Sequence, residues 1–101
     1  MRMMLSVSIP HEPCNTLIRG NKFGPLLKKI LDEIKPEAAY FTEQDGTRGA
    51  VLIIEVSDPS RVPALAEPFF LNLNADCRLR ICMTPADLSK AGLDEVAKRW
   101  A

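Results

Sequence analysis

The dipeptide Asp45-Gly46 separates two strand-like stretches and constrains the fold more than any other feature of the sequence. Both turn positions of a two-residue type I′ hairpin need positive φ, and Asp-Gly tolerates this conformation well. The turn sets a register in which Glu43 faces Arg48 and Tyr40 faces Val51. This register matches opposite charges near the turn and an aromatic with an aliphatic side chain further in. The sequence therefore predicts a β-hairpin in the middle of the chain.

The second strand of this hairpin is apolar at nearly every position from Ala50 to Val56. A half-buried strand alternates between apolar and polar residues, whereas a strand buried on both faces does not. We therefore expect this strand at the centre of a sheet.

The remaining periodicity predicts two more strands and two long helices. Alternating apolar residues indicate strands, and apolar residues three and four apart indicate helices. By these patterns, strands are expected from Met1 to Ile9 and from Asp76 to Met83, and helices from Phe23 to Ile34 and from Val62 to Leu73. Thr84-Pro85 has the residues of a capped start for one further, C-terminal helix.

Prolines mark two irregular regions. Two prolines and a glycine predict a loop from Pro10 to Lys22, with room for one irregular helical turn. Pro68 lies inside the second long helix and removes the hydrogen bond to the Ala64 carbonyl. A kink or break is therefore expected between Ala64 and Glu67.

The order strand, helix, strand, strand, helix, strand is the βαββαβ arrangement of the ferredoxin-like α+β fold. It predicts a four-stranded antiparallel sheet with the order 4-1-3-2, two helices on one face, and the additional C-terminal helix. The length of 101 residues indicates one domain over residues 1–101. The side of the sheet that faces the helices is expected to carry Met3, Leu5, Val7, Phe41, Leu52, Ile54, Leu79 and Ile81.

Composition excludes several classes of function. Thirteen acidic and thirteen basic residues give zero net charge, and no stacking aromatic follows Arg48-Gly49, so no nucleic-acid partner is expected. No apolar run approaches the roughly 20 residues of a membrane span, and the first residues lack the pattern of a signal peptide. Three cysteines are too few for a disulfide framework, which favours a cytoplasmic protein with reduced thiols. The chain has no recognised metal or phosphate motif, so neither a metal nor a cofactor is expected.

The face of the sheet without helices is the informative surface. It mixes apolar and polar side chains, namely Arg2, Met4, Ser6, Ser8, Tyr40, Thr42, Val51, Ile53, Glu55, Arg78, Arg80 and Cys82. Monomeric proteins rarely expose a contiguous apolar patch larger than a few hundred Å². The economical cover is a second copy of the chain, sheet on sheet, in a two-fold homodimer.

Three stretches of the chain carry a resemblance to a known group of proteins. They are the runs from Lys35 to Phe41, from Glu67 to Ala75, and from Met83 to Leu88. In these runs and in its element order, the sequence resembles a group of small bacterial proteins, without an assigned activity, in the dimeric α+β barrel superfamily. The resemblance implies a ferredoxin-like fold, a homodimer and a bacterial cytosol. Other branches of the superfamily include monooxygenases, isomerases, dehydratases and ligand sensors, so the fold alone does not select a function.

Two arginines are the strongest candidates for ligand binding. Arg78 and Arg80 share one face of a strand and are expected beside Ser6 and Ser8 of the first strand. Guanidinium groups beside hydroxyls would hold a carboxylate or a phosphate. The alternative, which we favour over ligand binding because buried charges need partners, is that both arginines pair with Glu55 or with an acid of the partner chain in the dimer interface.

Three hypotheses follow for the function. In the first, a homodimer binds a small, partly apolar molecule, either neutral or anionic, between the sheet and its partner, with Tyr40, Glu55, Arg78 and Arg80 lining the cavity and His11 at its rim. In the second, the protein is a cofactor-independent monooxygenase or isomerase that uses His11 or Tyr40 for proton transfer. The third is a structural or interaction module that binds no ligand.

Overall fold

A computed structural model describes residues 1–101 as four strands, five α-helices and a 3₁₀ turn at Pro59–Arg61. The elements, in chain order, are β1 (Arg2–Ile9), α1 (His11–Arg19), α2 (Phe23–Ile34), β2 (Ala38–Gln44), β3 (Thr47–Glu55), α3 (Val62–Leu73), β4 (Asp76–Ile81), α4 (Pro85–Lys90) and α5 (Leu93–Trp100).

The strands form one antiparallel sheet with the order β2-β3-β1-β4. This order confirms the predicted ferredoxin-like arrangement, with β1 and β3 at the centre. The hairpin register is also confirmed, since Glu43 pairs with Arg48 and Tyr40 pairs with Val51. Asp45 and Gly46 have φ values of 51° and 84°, as the type I′ turn requires.

The core lies between one face of the sheet and the helices α1, α2 and α3. It contains 14 buried residues: Leu5, Val7, Ile9, Cys14, Ile30, Ile34, Ala50, Leu52, Ile54, Val56, Leu65, Phe69, Leu73 and Ala75. Alternate residues of β1 and β3 supply the sheet side of this core, because successive side chains of a strand point to opposite faces.

The segment from Pro10 to Lys22 forms a helix, so the prediction of a loop there was wrong. Glu12 keeps an extended conformation before Pro13, with φ of −114° and ψ of 140°, and the regular helix follows. The Glu12 carboxylate accepts hydrogen bonds from the backbone N–H of Thr16 at 3.2 Å and from its hydroxyl at 2.7 Å. Cys14 is fully buried in the core. Prolines in a first turn cost no hydrogen bond, and burial of the helix then outweighs its weak sequence pattern.

Helix α3 runs without interruption from Val62 to Leu73, so Pro68 does not break it. Leu65 and Phe69 on the same helix are buried on either side of the proline, and their packing holds the helix together. Asn74 ends the helix in the left-handed conformation, with φ of 52°, which asparagine tolerates better than most residues.

Two predicted core residues lie on the edge strands and remain exposed. Phe41 on β2 and Ile81 on β4 point to the helix side of the sheet but are 53% and 63% exposed. The helices cover the central strands, and their width does not extend over these edge positions.

The predicted C-terminal helix is a pair of short helices, α4 and α5, that extends away from the rest of the chain. Every residue from Pro85 to Ala101 is exposed. The molecule is correspondingly elongated, with principal dimensions of 59 × 28 × 20 Å. No helix of the structure has the length and apolar character needed to cross a membrane.

Candidate functional site

The face of the sheet that packs on no helix, which we call the open face, is built from rows of residues across the strands. One row contains Tyr40, Val51, Ser6 and Arg78, in the order β2-β3-β1-β4. The neighbouring row on one side contains Thr42, Gly49, Ser8 and Asp76, and the row on the other side contains Ala38, Ile53, Met4 and Arg80. Most of these side chains are half-buried or exposed, so the open face has a mixed surface that no part of the chain covers.

A polar hollow of about 140 Å³ lies on the open face near the end of the hairpin. Strands β1 and β4 form its floor, because Ser6 pairs with Arg78 and Ser8 pairs with Asp76. The hairpin turn supplies one wall. The six lining residues, all polar, are Ser6, Ser8, Gln44, Asp45, Asp76 and Arg78.

Gly49 allows the hairpin to close over the floor of the hollow. A Cβ atom at this position would lie 2.8 Å from Cγ of Gln44 and 3.2 Å from the backbone oxygen of Val7. The Gln44 side chain therefore lies directly across Gly49, in space that any other residue would occupy. Glu43 holds the turn itself, since its carboxylate accepts a hydrogen bond of 2.9 Å from the Gly46 N–H.

The six lining side chains keep their hydrogen-bonding groups free. None of them forms a side-chain hydrogen bond or an ion pair within the chain. Arg78 offers several donors in a planar fork, Asp45 and Asp76 offer acceptors, and the two serines and Gln44 offer both. The hollow can therefore bind a molecule that presents a carbonyl or anionic oxygen to the arginine and a hydroxyl to a carboxylate.

Arg78 lines the hollow, whereas Arg80 lies one row away, beside Met4. The alternative pairing of these arginines with Glu55 does not occur within the chain. Glu55 instead accepts a hydrogen bond from the amino group of Met1. Both guanidinium groups remain available to a ligand or to an acid of a second chain.

The other two predicted residues lie outside the hollow. Tyr40 shares the row of Arg78 but stands on the opposite edge strand, about 14 Å away at the usual spacing of strands. Its side chain is 66% exposed. His11 is the first residue of α1 and is exposed. It forms no hydrogen bond and does not line the hollow.

Three lining residues were missed in the sequence. Asp45 was already explained by its role in the hairpin turn, so it was not considered as a binding residue. No sequence pattern indicated Gln44, because its position over Gly49 is a tertiary contact. Asp76 joins the site only through the pairing of β1 with β4, two strands that are far apart in the sequence. Its position opposite Ser8 therefore depends on register, which no local motif in this chain determines.

The thiol nearest to the hollow is chemically inert. Cys77 follows Asp76 on β4 and points to the helix side of the sheet. Burial, together with the negative charge of Asp76, raises the pKa of Cys77 to about 11. Only the thiolate is a nucleophile, so this cysteine supplies no reactive group to the site at neutral pH.

No protein-family model matches the chain, and no curated protein sequence matches it. Among solved structures, it is similar to the 5-chloro-2-hydroxyhydroquinone dehydrochlorinase TftG of Burkholderia phenoliruptrix AC1100, in complex with 2,5-dihydroxybenzoquinone. This match has a TM-score of 0.60 and 17% identity, and it covers 85% of this chain and 97% of that chain. A de novo designed protein, Ferredog-Diesel, matches with a TM-score of 0.47 and 15% identity, over 80% of this chain and 85% of that chain. The similarity to the dehydrochlorinase establishes the ferredoxin-like α+β fold.

Proposed function

We propose that the protein is a homodimeric small-molecule-binding protein whose two open faces pack together and enclose the ligand. The observation that carries this proposal is the polar hollow, because its six side chains have no partners within the chain. Arg78 donates hydrogen bonds to a carbonyl or anionic oxygen of the ligand, and Asp76 accepts a hydrogen bond from a ligand hydroxyl. The apolar part of the ligand lies against Val51 and Met4, the neighbours of Ser6 on the open face.

The size of the hollow supports the participation of a second chain. Sites for small organic ligands usually have volumes of about 300–1,000 Å³ and bury most of the ligand surface. The hollow measures about 140 Å³, which is below this range. A second sheet packed on the open face would enlarge the site with a matching hollow from its own strands. It would also cover the half-buried Met4, Val51 and Ile53.

The class of ligand follows from the balance of donors and acceptors. One guanidinium and two carboxylates line the hollow, so a fully anionic molecule such as phosphate would meet repulsion from Asp45 and Asp76. A small ring that carries both hydroxyl and carbonyl oxygens satisfies both kinds of group. The dehydrochlorinase of the same fold is complexed with a ligand of this kind, 2,5-dihydroxybenzoquinone.

We place the protein in the bacterial cytoplasm as part of this proposal, with the three free cysteines in support.

Ligand-induced stabilisation tests this proposal. Thermal unfolding is measured with 4-hydroxybenzamide, benzoate and inorganic phosphate as probes, because a ligand that binds only the folded state raises the unfolding temperature. We expect the largest rise with 4-hydroxybenzamide, a neutral ring with both a hydroxyl and a carbonyl oxygen, and the smallest with phosphate. Arg78→Gln should abolish the rise, since it removes the only positive charge of the hollow.

Arg61→Gln is the matched control, because Arg61 is an exposed arginine of the 3₁₀ turn that forms no ion pair and lies outside the hollow. This variant should respond to the probes as the unmodified protein does. Equal responses of the Arg78 and Arg61 variants, or no response of the unmodified protein to any probe, would contradict the proposed site.

A further inference from the structure

The last two helices form a surface that nothing in the chain uses. We call the segment from Pro85 to Ala101 the arm. All of its residues are exposed, although it carries Leu88, Leu93, Val96 and Trp100. These four side chains are 47%, 56%, 45% and 85% exposed, respectively. Exposed apolar side chains that share one face indicate a surface for docking, rather than ordinary surface variation.

The arm has regular helical structure and carries apolar residues in a stripe along one side of α5. Thr84 and Asp87 form a reciprocal capping box, with distances of 3.1 Å and 3.0 Å between donor and acceptor atoms. On α5, the apolar residues Leu93, Val96 and Trp100 follow spacings of three and four, which place them on one side of the helix. The charged residues Glu95 and Lys98 pair with each other away from this stripe.

The stripe has no docking site on its own chain. The radius of gyration of the Cα atoms is 17.1 Å, whereas a compact chain of this length has about 13 Å. The long dimension of 59 Å is more than twice the next one. The arm therefore points away from the sheet and its helices.

The arm leaves the molecule beside the open face. The backbone N–H of Cys82, the residue after β4, donates to the carbonyl of Arg2 at 2.9 Å. Arg2 belongs to the open face, where it is paired with Glu55 in the strand register. The pKa of Asp87 is lowered, chiefly by its hydrogen bonds with Thr84 and further by the positive charge of Arg2. A second copy packed on the open face would thus lie next to the first residues of the arm.

We propose that the arm clasps the second copy of the chain, so that each subunit of the dimer holds the other with its stripe. This inference rests on the homodimer of the proposed function and adds a second contact to it. A tryptophan side chain buries roughly 150–250 Å², and Leu88, Leu93 and Val96 together add roughly a similar area. The apolar side chains of the arm therefore cover less than the roughly 800 Å² per partner of a stable interface. The open face supplies the remainder, and neither surface is sufficient by itself.

The sole tryptophan of the chain gives a direct readout of this contact, because Trp100 lies at the end of the stripe. We expect the unmodified protein to sediment as a dimer with blue-shifted tryptophan emission. On dilution, the emission should shift to the red together with dissociation of the dimer. The double variant Leu93→Gln/Val96→Gln should raise the dimer dissociation constant at least about tenfold, since it removes two side chains from the clasp.

Lys98→Gln is the matched control, because Lys98 lies on the other side of α5. It should leave both the dissociation constant and the emission unchanged, and circular dichroism should show the same helix content in every variant. A dimer that keeps its affinity in the double variant, with solvent-exposed Trp100 emission, would overturn the clasp but leave the sheet dimer intact. Blue emission that does not change on dissociation would overturn it as well, since the arm would then dock on its own chain. An unmodified protein that stays monomeric at all concentrations would refute both the dimer and the clasp.

Discussion

At the scale of single residues, the hollow depends on the absence of a side chain at one position. Gly49 on β3 lies opposite Ser8, and Gln44 occupies the space above it. The glycine has ordinary extended geometry, so its role is to permit close approach rather than an unusual φ. The wall of the site is therefore built by a contact between two neighbouring strands of the hairpin.

Gly49→Ala should displace Gln44 and destabilise the protein by about 1 kcal/mol. The new methyl group would lie 2.8 Å from Cγ of Gln44, a flexible side chain that can move, and 3.2 Å from the less mobile backbone oxygen of Val7. The free energy of unfolding in urea measures the cost. In the Gln44→Ala background the same substitution should cost less, because the main clash is gone. Equal costs in both backgrounds would show that Gln44 does not occupy this space.

At the scale of elements, carboxylates near the helix starts stabilise α1 and α4. Glu12 on α1 accepts hydrogen bonds from the backbone N–H and the hydroxyl of Thr16. Asp87, in the first turn of α4, accepts a hydrogen bond from the backbone N–H of Thr84. The pKa of Glu12 is lowered, chiefly by the hydrogen bond from the Thr16 side chain. A lowered pKa means that the folded state favours the charged carboxylate, so the stabilisation is present at neutral pH and is lost on acidification.

Glu12→Gln should therefore lower the thermal stability at pH 7, and the difference from the unmodified protein should shrink below about pH 4.5. The ordinary pKa of this group is 4.5, and the stabilisation disappears as the pH falls below it through the lowered value of the folded state. Melting temperatures at pH 7 and pH 3 measure the effect. Glu33→Gln, at an exposed glutamate of α2 without a hydrogen bond, should show no such dependence. A difference for Glu12→Gln that persists at pH 3 would contradict the charge-based stabilisation.

At the scale of the whole molecule, one layer of helices on one face of the sheet provides the core. Phe69 on α3 is 1% exposed and is the largest of the fully buried side chains. The helix that carries it also contains Pro68, so the packing of this helix secures an element that is locally weakened. The stability of the fold should thus depend strongly on this contact.

Phe69→Ala should destabilise the protein by about 3–5 kcal/mol, a large share of the 5–15 kcal/mol typical of small proteins. The neighbouring Phe70 is 39% exposed, and Phe70→Ala should cost much less, because water already reaches its ring. Urea unfolding of both variants, followed by circular dichroism, measures the difference. Similar losses for the two variants would show that α3 is not seated on the sheet through Phe69.

Local patterns in the sequence determined the four strands and two long helices along the chain, the hairpin register and the capped start of α4. These features follow from turn chemistry, periodicity and capping, which act between residues close together in the chain. Only the tertiary structure decided that the segment after Pro10 is a helix and that Pro68 leaves α3 unbroken, because packing against the sheet outweighs local propensity. It also assembled the hollow, since Asp76 reaches Ser8 only through a pairing between distant strands. Contacts of this kind depend on strand register and on burial, and no local sequence pattern determines either of them.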